Sequence, residues 1–187
     1  MKPLYTVLIS IIILATACNN KKKSSETNPT AMNDSTATPA QLQKEEELQA
    51  LTPYTAQQMQ ALLPAELAGG PLTDPSSGEA TGTAFARGVY ASTDTSVIEL
   101  SIFDCGGSGG AGFYKYQFLN MLNAEPTSEE EEIKVIDYKG EKAIEQYDAD
   151  SYQSVFTYLS GRFLVTLQSE FLDIDGLKKI ADGLELK

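Results

Sequence analysis

The hydrophobic residues of this chain form one almost wholly apolar block, nearly vanish, and then return with helical and afterwards mostly strand-like spacing. The block runs from Leu4 to Leu14. From Asn19 to about Thr38 the chain is rich in Asn, Lys, Ser, Thr and Pro, with almost no large apolar side chain. Such a composition cannot bury enough surface to offset its ordering entropy, so a disordered tether is expected there. As a flexible coil of about 20 residues it would reach roughly 25 Å on average and about 70 Å at full extension.

Helical spacing opens the part that folds. Pro39 suits a first helical turn ahead of QLQKEEELQAL, whose apolar positions are Leu42, Leu48 and Leu51. Thr55 precedes AQQMQALL, with Met59, Leu62 and Leu63 on one face and Pro64 as the stop. Gly69-Gly70-Pro71 and TDPSSGEATG read as loops. Strands follow at Ala84 to Ala91 and Val97 to Phe103, separated by a turn at Ser92 to Thr95. In the second of them Ile98, Leu100 and Ile102 alternate with Glu99 and Ser101, which predicts one wet face.

After a glycine-rich loop, FYKYQFLNML is predicted to be a helix with Phe113, Tyr116, Phe118, Leu119 and Leu122 as its apolar positions. Four more strands, IKVIDY, KAIEQY, QSVFTYL and RFLVTLQ, are divided by KG, DADS and SG turn signals. Connections this short join antiparallel neighbours, because a parallel crossover needs a dozen residues or more. Leu177, Ile180, Ala181 and Leu184 return to helical spacing behind Asp173 or Asp175 as cap. No internal repeat is present. The pattern predicts a single α+β domain over residues 39–187: an antiparallel sheet of about six strands with helices packed on one face.

Composition narrows the chemistry. The 187 residues carry 26 acidic against 14 basic side chains, a net charge of -12, so no nucleic-acid partner is expected. Histidine is absent, which excludes Ser-His-Asp and Cys-His machinery. The apolar block is shorter than the roughly 20 residues of a membrane span, follows Lys2, and ends in Ala15-Thr16-Ala17, as a signal peptide over residues 1–17 would. Ala15-Thr16-Ala17-Cys18 resembles the lipobox of bacterial lipoproteins, with Ala15 where that family most often has Leu. The resemblance covers residues 1 to 18 and implies cleavage before Cys18 and acylation of Cys18, leaving residues 18–38 as lipidated cysteine and tether. Two or three acyl chains hold a protein at a membrane essentially permanently, and Lys21, Lys22 and Lys23 can add attraction to an anionic surface. Some exported lipoproteins share an acidic run after the cysteine. Asn19-Asn20-Lys21 lacks it, so the periplasmic face of the cell envelope is the expected location.

Several stretches of the domain look like chemistry. In FDCGGSGGAGF, Gly107, Gly109 and Gly112 match the GxGxxG spacing of a dinucleotide site. Against that reading, the preceding strand alternates, forms a hairpin arm and is followed by no βαβ series, so the glycines are expected to serve close packing; Asp137 lies too far along to act as a ribose ligand. Cys105 in the same loop lacks a partner if Cys18 is acylated and is expected to be a small buried hydrophobe, with a redox role as the alternative. Asp173-Ile174-Asp175-Gly176 resembles part of a calcium loop, but Leu177 breaks the pattern and favours helix capping. Glu129 to Glu132 suggest a solvated face or an attraction for a basic partner. Tyr138, Tyr147, Tyr152 and Tyr158 are sheet residues that could line a binding face.

The stretch from LLPAELAGG through SIFDCGGSGGAGF to the last helix is loosely similar to domains of uncharacterised bacterial envelope proteins, a likeness that implies no activity. No cofactor or metal is expected. The reading that emerges is an envelope lipoprotein with a non-enzymatic binding or scaffolding domain and an envelope protein as partner. Its alternatives are a carrier of a small apolar ligand and an enzyme of unknown type.

Overall fold

An antiparallel sheet of eight strands organises the described residues, 37–91 and 97–186, in the computed structural model of the chain. These residues lie in the unit Thr36–Lys187. The signal peptide, Cys18, Lys21 to Lys23, nearly all of the tether and the Ser92 to Thr95 turn lie outside the described residues. In chain order the strands are β1 (Glu66–Leu67), β2 (Gly70–Ala80), β3 (Thr83–Ala91), β4 (Val97–Asp104), β5 (Glu131–Tyr138), β6 (Glu141–Asp148), β7 (Gln153–Ser160) and β8 (Phe163–Ser169). Their order across the sheet is β1-β2-β3-β4-β8-β7-β6-β5, so two meanders meet where β4 pairs with β8. Two-residue turns set the hairpin registers. Thr81–Gly82 and Lys139–Gly140 both have positive φ at each position, the handedness that matches strand twist.

The eight strands correct the expectation of about six, and the additions are β1 and β2. β2 is PLTDPSSGEA with a leading glycine, polar and twice interrupted by proline, which is why its sequence reads as a loop. It extends because β3 supplies a ladder along nearly its whole length. Pro71 sits at the start of the strand, before the β3 ladder begins at Leu72, and Pro75 lies where the outer side of β2 carries no ladder, because β1 pairs only with Gly70 and Pro71.

Side chains alternate across a strand, so each strand of this sheet can feed two layers. On one face α2 (Ala56–Gln60) and α5 (Ile174–Gly183) place Met59, Leu177 and Ala181 over Ile98, Leu100, Ile102, Phe156, Val165 and Leu167, all buried. On the other lie α1 (Pro39–Gln49), α3 (Gly107–Phe113), a π-helical stretch at Tyr114–Phe118, and α4 (Leu119–Met121). Their Leu48, Ala111, Tyr114, Phe118 and Leu119 form a second core with Ile144, Leu159 and Leu164. Helices therefore cover both faces, not one. The topology requires it: β4 is beside β8 while β5 is the far edge, so the connecting helices must cross β8, β7 and β6. Phe103, on the same side of β4 as Glu99 and Ser101, stacks on Phe113 with ring centroids 4.8 Å apart, so the face predicted to be wet is covered there. The same face is polar only farther along β4, where Glu99 pairs with exposed Arg87 and Ser101 is half-buried.

Helix α1 joins this second layer through one buried apolar side chain, with Glu45 meeting Lys115 at 3.7 Å beside it. Thr38 and Gln41 form a reciprocal capping box that starts it, and Leu48 is its buried residue while Leu42 stays 45% exposed. Leu48→Ala is expected to lower stability by about 2–5 kcal/mol, as for other buried leucines, and Leu42→Ala to change it by less than about 0.5 kcal/mol. Chemical denaturation of both variants checks this. Equal, small effects would mean that α1 does not dock.

Candidate functional site

The loop after β4 is built around a buried ion pair. Asp104 is 1% exposed, and its carboxylate accepts hydrogen bonds from Arg162 Nε at 2.7 Å and Arg162 Nη2 at 2.9 Å, a two-point contact. It also accepts the backbone N–H groups of Tyr54 at 2.6 Å and Gly106 at 2.9 Å. Arg162 Nη2 donates to the Thr52 carbonyl at 2.7 Å, and the guanidinium lies 4.4 Å from the Tyr54 ring centroid. Four donors and two acceptors are thereby satisfied within the fold.

The glycines follow from this crowding. A Cβ on Gly106 would overlap Arg162 Nη2, one on Gly107 would meet the Pro53 ring, and one on Gly109 would overlap the Gly82 carbonyl oxygen. Gly112 differs, since nothing lies within 4 Å of the position its Cβ would take. Of the GxGxxG triplet, Gly107 and Gly109 hold the loop against the α1–α2 linker and the β2–β3 turn, while Gly112 is replaceable. β4 is flanked by two antiparallel strands, an arrangement unlike the parallel βαβ unit of a dinucleotide fold.

Cys105 is fully buried in the second core, and its N–H donates to the Arg162 carbonyl at 2.9 Å. Burial pushes its thiol pKa up to about 12, with Asp104 adding to the rise, so the nucleophilic thiolate is suppressed at neutral pH. Asp173 caps α5 by accepting the Gly176 N–H at 2.8 Å, and Asp175 sits in the first turn near Lys178. The DIDG stretch is a helix start.

The remaining candidates separate into two groups. Tyr138 and Tyr158 pack with Phe156 in the first core, their centroids 5.0 to 5.4 Å from one another and from Phe156, and Tyr138 Oη donates to Asp182 at 2.8 Å. Tyr147 and Tyr152 instead line an open cleft of about 470 Å³ where the ends of β5, β6 and β7 run past the start of α5. That volume lies within the range of ligand sites, roughly 300–1,000 Å³. Tyr147 is 36% exposed, Tyr152 69%, and Phe171, from the segment linking β8 to α5, 55%.

Charge surrounds these rings. Glu132, from the acidic run, lies on one wall with Lys134, which it meets at 2.8 Å. Glu145 accepts from Lys178 at 3.0 Å across the floor. Glu131, the first residue of β5, is half-buried outside the cleft and accepts from the Thr127 N–H at 2.7 Å, which lowers its pKa. The structure thus brings together Tyr147, Tyr152, Glu132, Asp173 and Asp175, residues 40 positions apart in places, and leaves Tyr138, Tyr158, Cys105 and the glycines elsewhere. Phe171 and Glu170 belong to the cleft but carried no signal in sequence, because SEFLDID reads as an ordinary connection.

Two glycines three positions apart are expected to respond with opposite signs. Gly109→Ala should destabilise by about 1–3 kcal/mol through overlap with the Gly82 carbonyl, and Gly112→Ala should stabilise by about 0.5–1 kcal/mol, because alanine is the better helix former where space is open. Thermal melts of both variants check this, and a loss of stability in both would show that Gly112 also serves packing. Comparison of the chain with known protein families, with curated proteins and with solved structures finds no match.

Proposed function

We propose that this chain is a lipid-anchored bacterial envelope lipoprotein, facing the periplasm, whose domain is a non-enzymatic binding module that docks an envelope protein at the cleft beside α5. The observation that carries the reading is the convergence of Tyr147, Tyr152 and Phe171, three exposed rings, on one concave site. Exposed aromatic side chains scattered singly are ordinary, but gathered on one concave surface they are of the kind enriched where proteins meet partners. The groups that most resembled catalytic chemistry support the same reading by being occupied: the Cys105 thiol is protonated in a core, and the loop glycines and Asp104 hold chain segments together. Apolar side chains fill the space between the sheet and α2 and α5, which favours a surface module over a carrier with an internal cavity. The anchor rests on Ala15-Thr16-Ala17-Cys18.

In cells fed an alkyne-bearing palmitate, the protein is expected to take up label and to partition with membranes, and Cys18→Ser to lose both. A photo-crosslinking residue at position 171 is expected to yield a discrete protein adduct that the same residue at position 116, on the opposite layer, does not. Unlabelled protein would sink the anchor, and the absence of any adduct specific to position 171 would sink the docking site.

A further inference from the structure

The occupant of the cleft can be specified further, an inference that rests on the docking reading above. We infer that the cleft receives a basic, extended segment of its protein partner, with arginine or lysine side chains against the exposed rings. Two independent features select a cation. The first is the rings: Tyr152 and Phe171 both line the cleft with most of their surface in solvent, and an aromatic face attracts a guanidinium or ammonium within about 6 Å. The same molecule uses this contact internally, with Arg162 over Tyr54 at 4.4 Å.

The second is charge. Five carboxylates line the cleft against two ammonium groups, Lys134 and Lys178. Both ammonium groups already meet carboxylates, Lys134 at Glu132 and Lys178 at Glu145. Asp173 and Asp175 offset the positive end of the α5 dipole. Glu170, beside Phe171, has no ion pair or hydrogen-bonded side-chain partner among the described residues and supplies the carboxylate for the incoming cation.

Tyr152 gives the means to separate binding from folding. It stands at the end of the four-residue turn between β6 and β7 with φ of 56°, a left-handed conformation that costs a bulky side chain and suits glycine. Tyr152→Gly removes the ring while relaxing the backbone, so it should melt no lower than the parent.

The experiment uses the full-length protein in zwitterionic detergent and a fluorescein-labelled peptide of about ten residues alternating arginine with alanine, read by fluorescence anisotropy. Saturable binding is expected, weakening by about tenfold as salt rises from about 50 mM to about 500 mM. Tyr152→Gly and Phe171→Ala are each expected to weaken it by about fivefold to tenfold. Tyr116→Ala, at an exposed ring on the other layer, should leave it unchanged. No saturable binding, unchanged binding by Tyr152→Gly, or equal binding of a glutamate-alanine peptide would overturn the inference. Competition by spermidine at matching affinity would overturn it in favour of a free polyamine. The two readings fail separately: a position-171 adduct whose contacted segment is not basic would end this inference and leave the docking site standing.

Discussion

The Asp104–Arg162 pair is the contact on which the rest of the arrangement depends. Its partners come from the α1–α2 linker, the β4–α3 loop and the β7–β8 turn, segments whose contacts with the pair span 50 positions or more. A buried ion pair contributes little net stability against an apolar replacement, because removing both charges from water offsets their attraction. What it does contribute is geometry. A carboxylate that accepts four donors tolerates few placements of the chain around it, and each partner left alone would be a buried charge at a cost of about 3–5 kcal/mol. Gly106 and Gly107 are the local consequence, since the guanidinium and Pro53 occupy the volume a side chain would need.

From that fixed point the chain has one route onward. β4 ends beside β8, the next strand lies at the opposite edge, and α3 to α4 must cross three strands to reach it. The crossing covers Leu164, Leu159 and Ile144, and so converts what would be a half-exposed sheet into one buried on both faces for part of its area. Because the helices do not reach the whole sheet, the two ends differ: one is packed with rings and aliphatics, while the strand ends beside α5 remain open. The cleft is this unfilled remainder. Its rings are ones that belong to neither core, which is why Tyr147 and Tyr152 differ in setting from Tyr138 and Tyr158.

Binding at such a site would suit the proposed tether. The proposed lipid anchor would confine the domain to a layer near the membrane and raise the local concentration of any partner confined there too, so that a modest cleft would suffice where free diffusion would demand a larger interface. Cation-π and carboxylate contacts of the kind assembled here are individually weak in water and depend on salt. They fit reversible attachment.

The sequence by itself determined what depends on neighbours in the chain. The alternation of β4, the strand-like runs of β3 and β5 to β8 between turn signals, the Thr55 and Asp173 caps, and the glycine-bearing hairpin turns all act within a few residues, and each is where the residues place it. The polar stretch from Asn19 and the apolar block before Cys18 are equally local signals and define the proposed anchor. Tertiary structure alone decided the rest. β2 is a strand only because β3 lies alongside, and its own residues favour a loop. The second helical layer exists because of strand order, which no window of the sequence reports. The pairing of Asp104 with Arg162, and the meeting of Glu132, Tyr152 and Phe171 around one cleft, join residues whose separation in the chain exceeds any periodicity, so their chemistry is visible only once the sheet has been assembled.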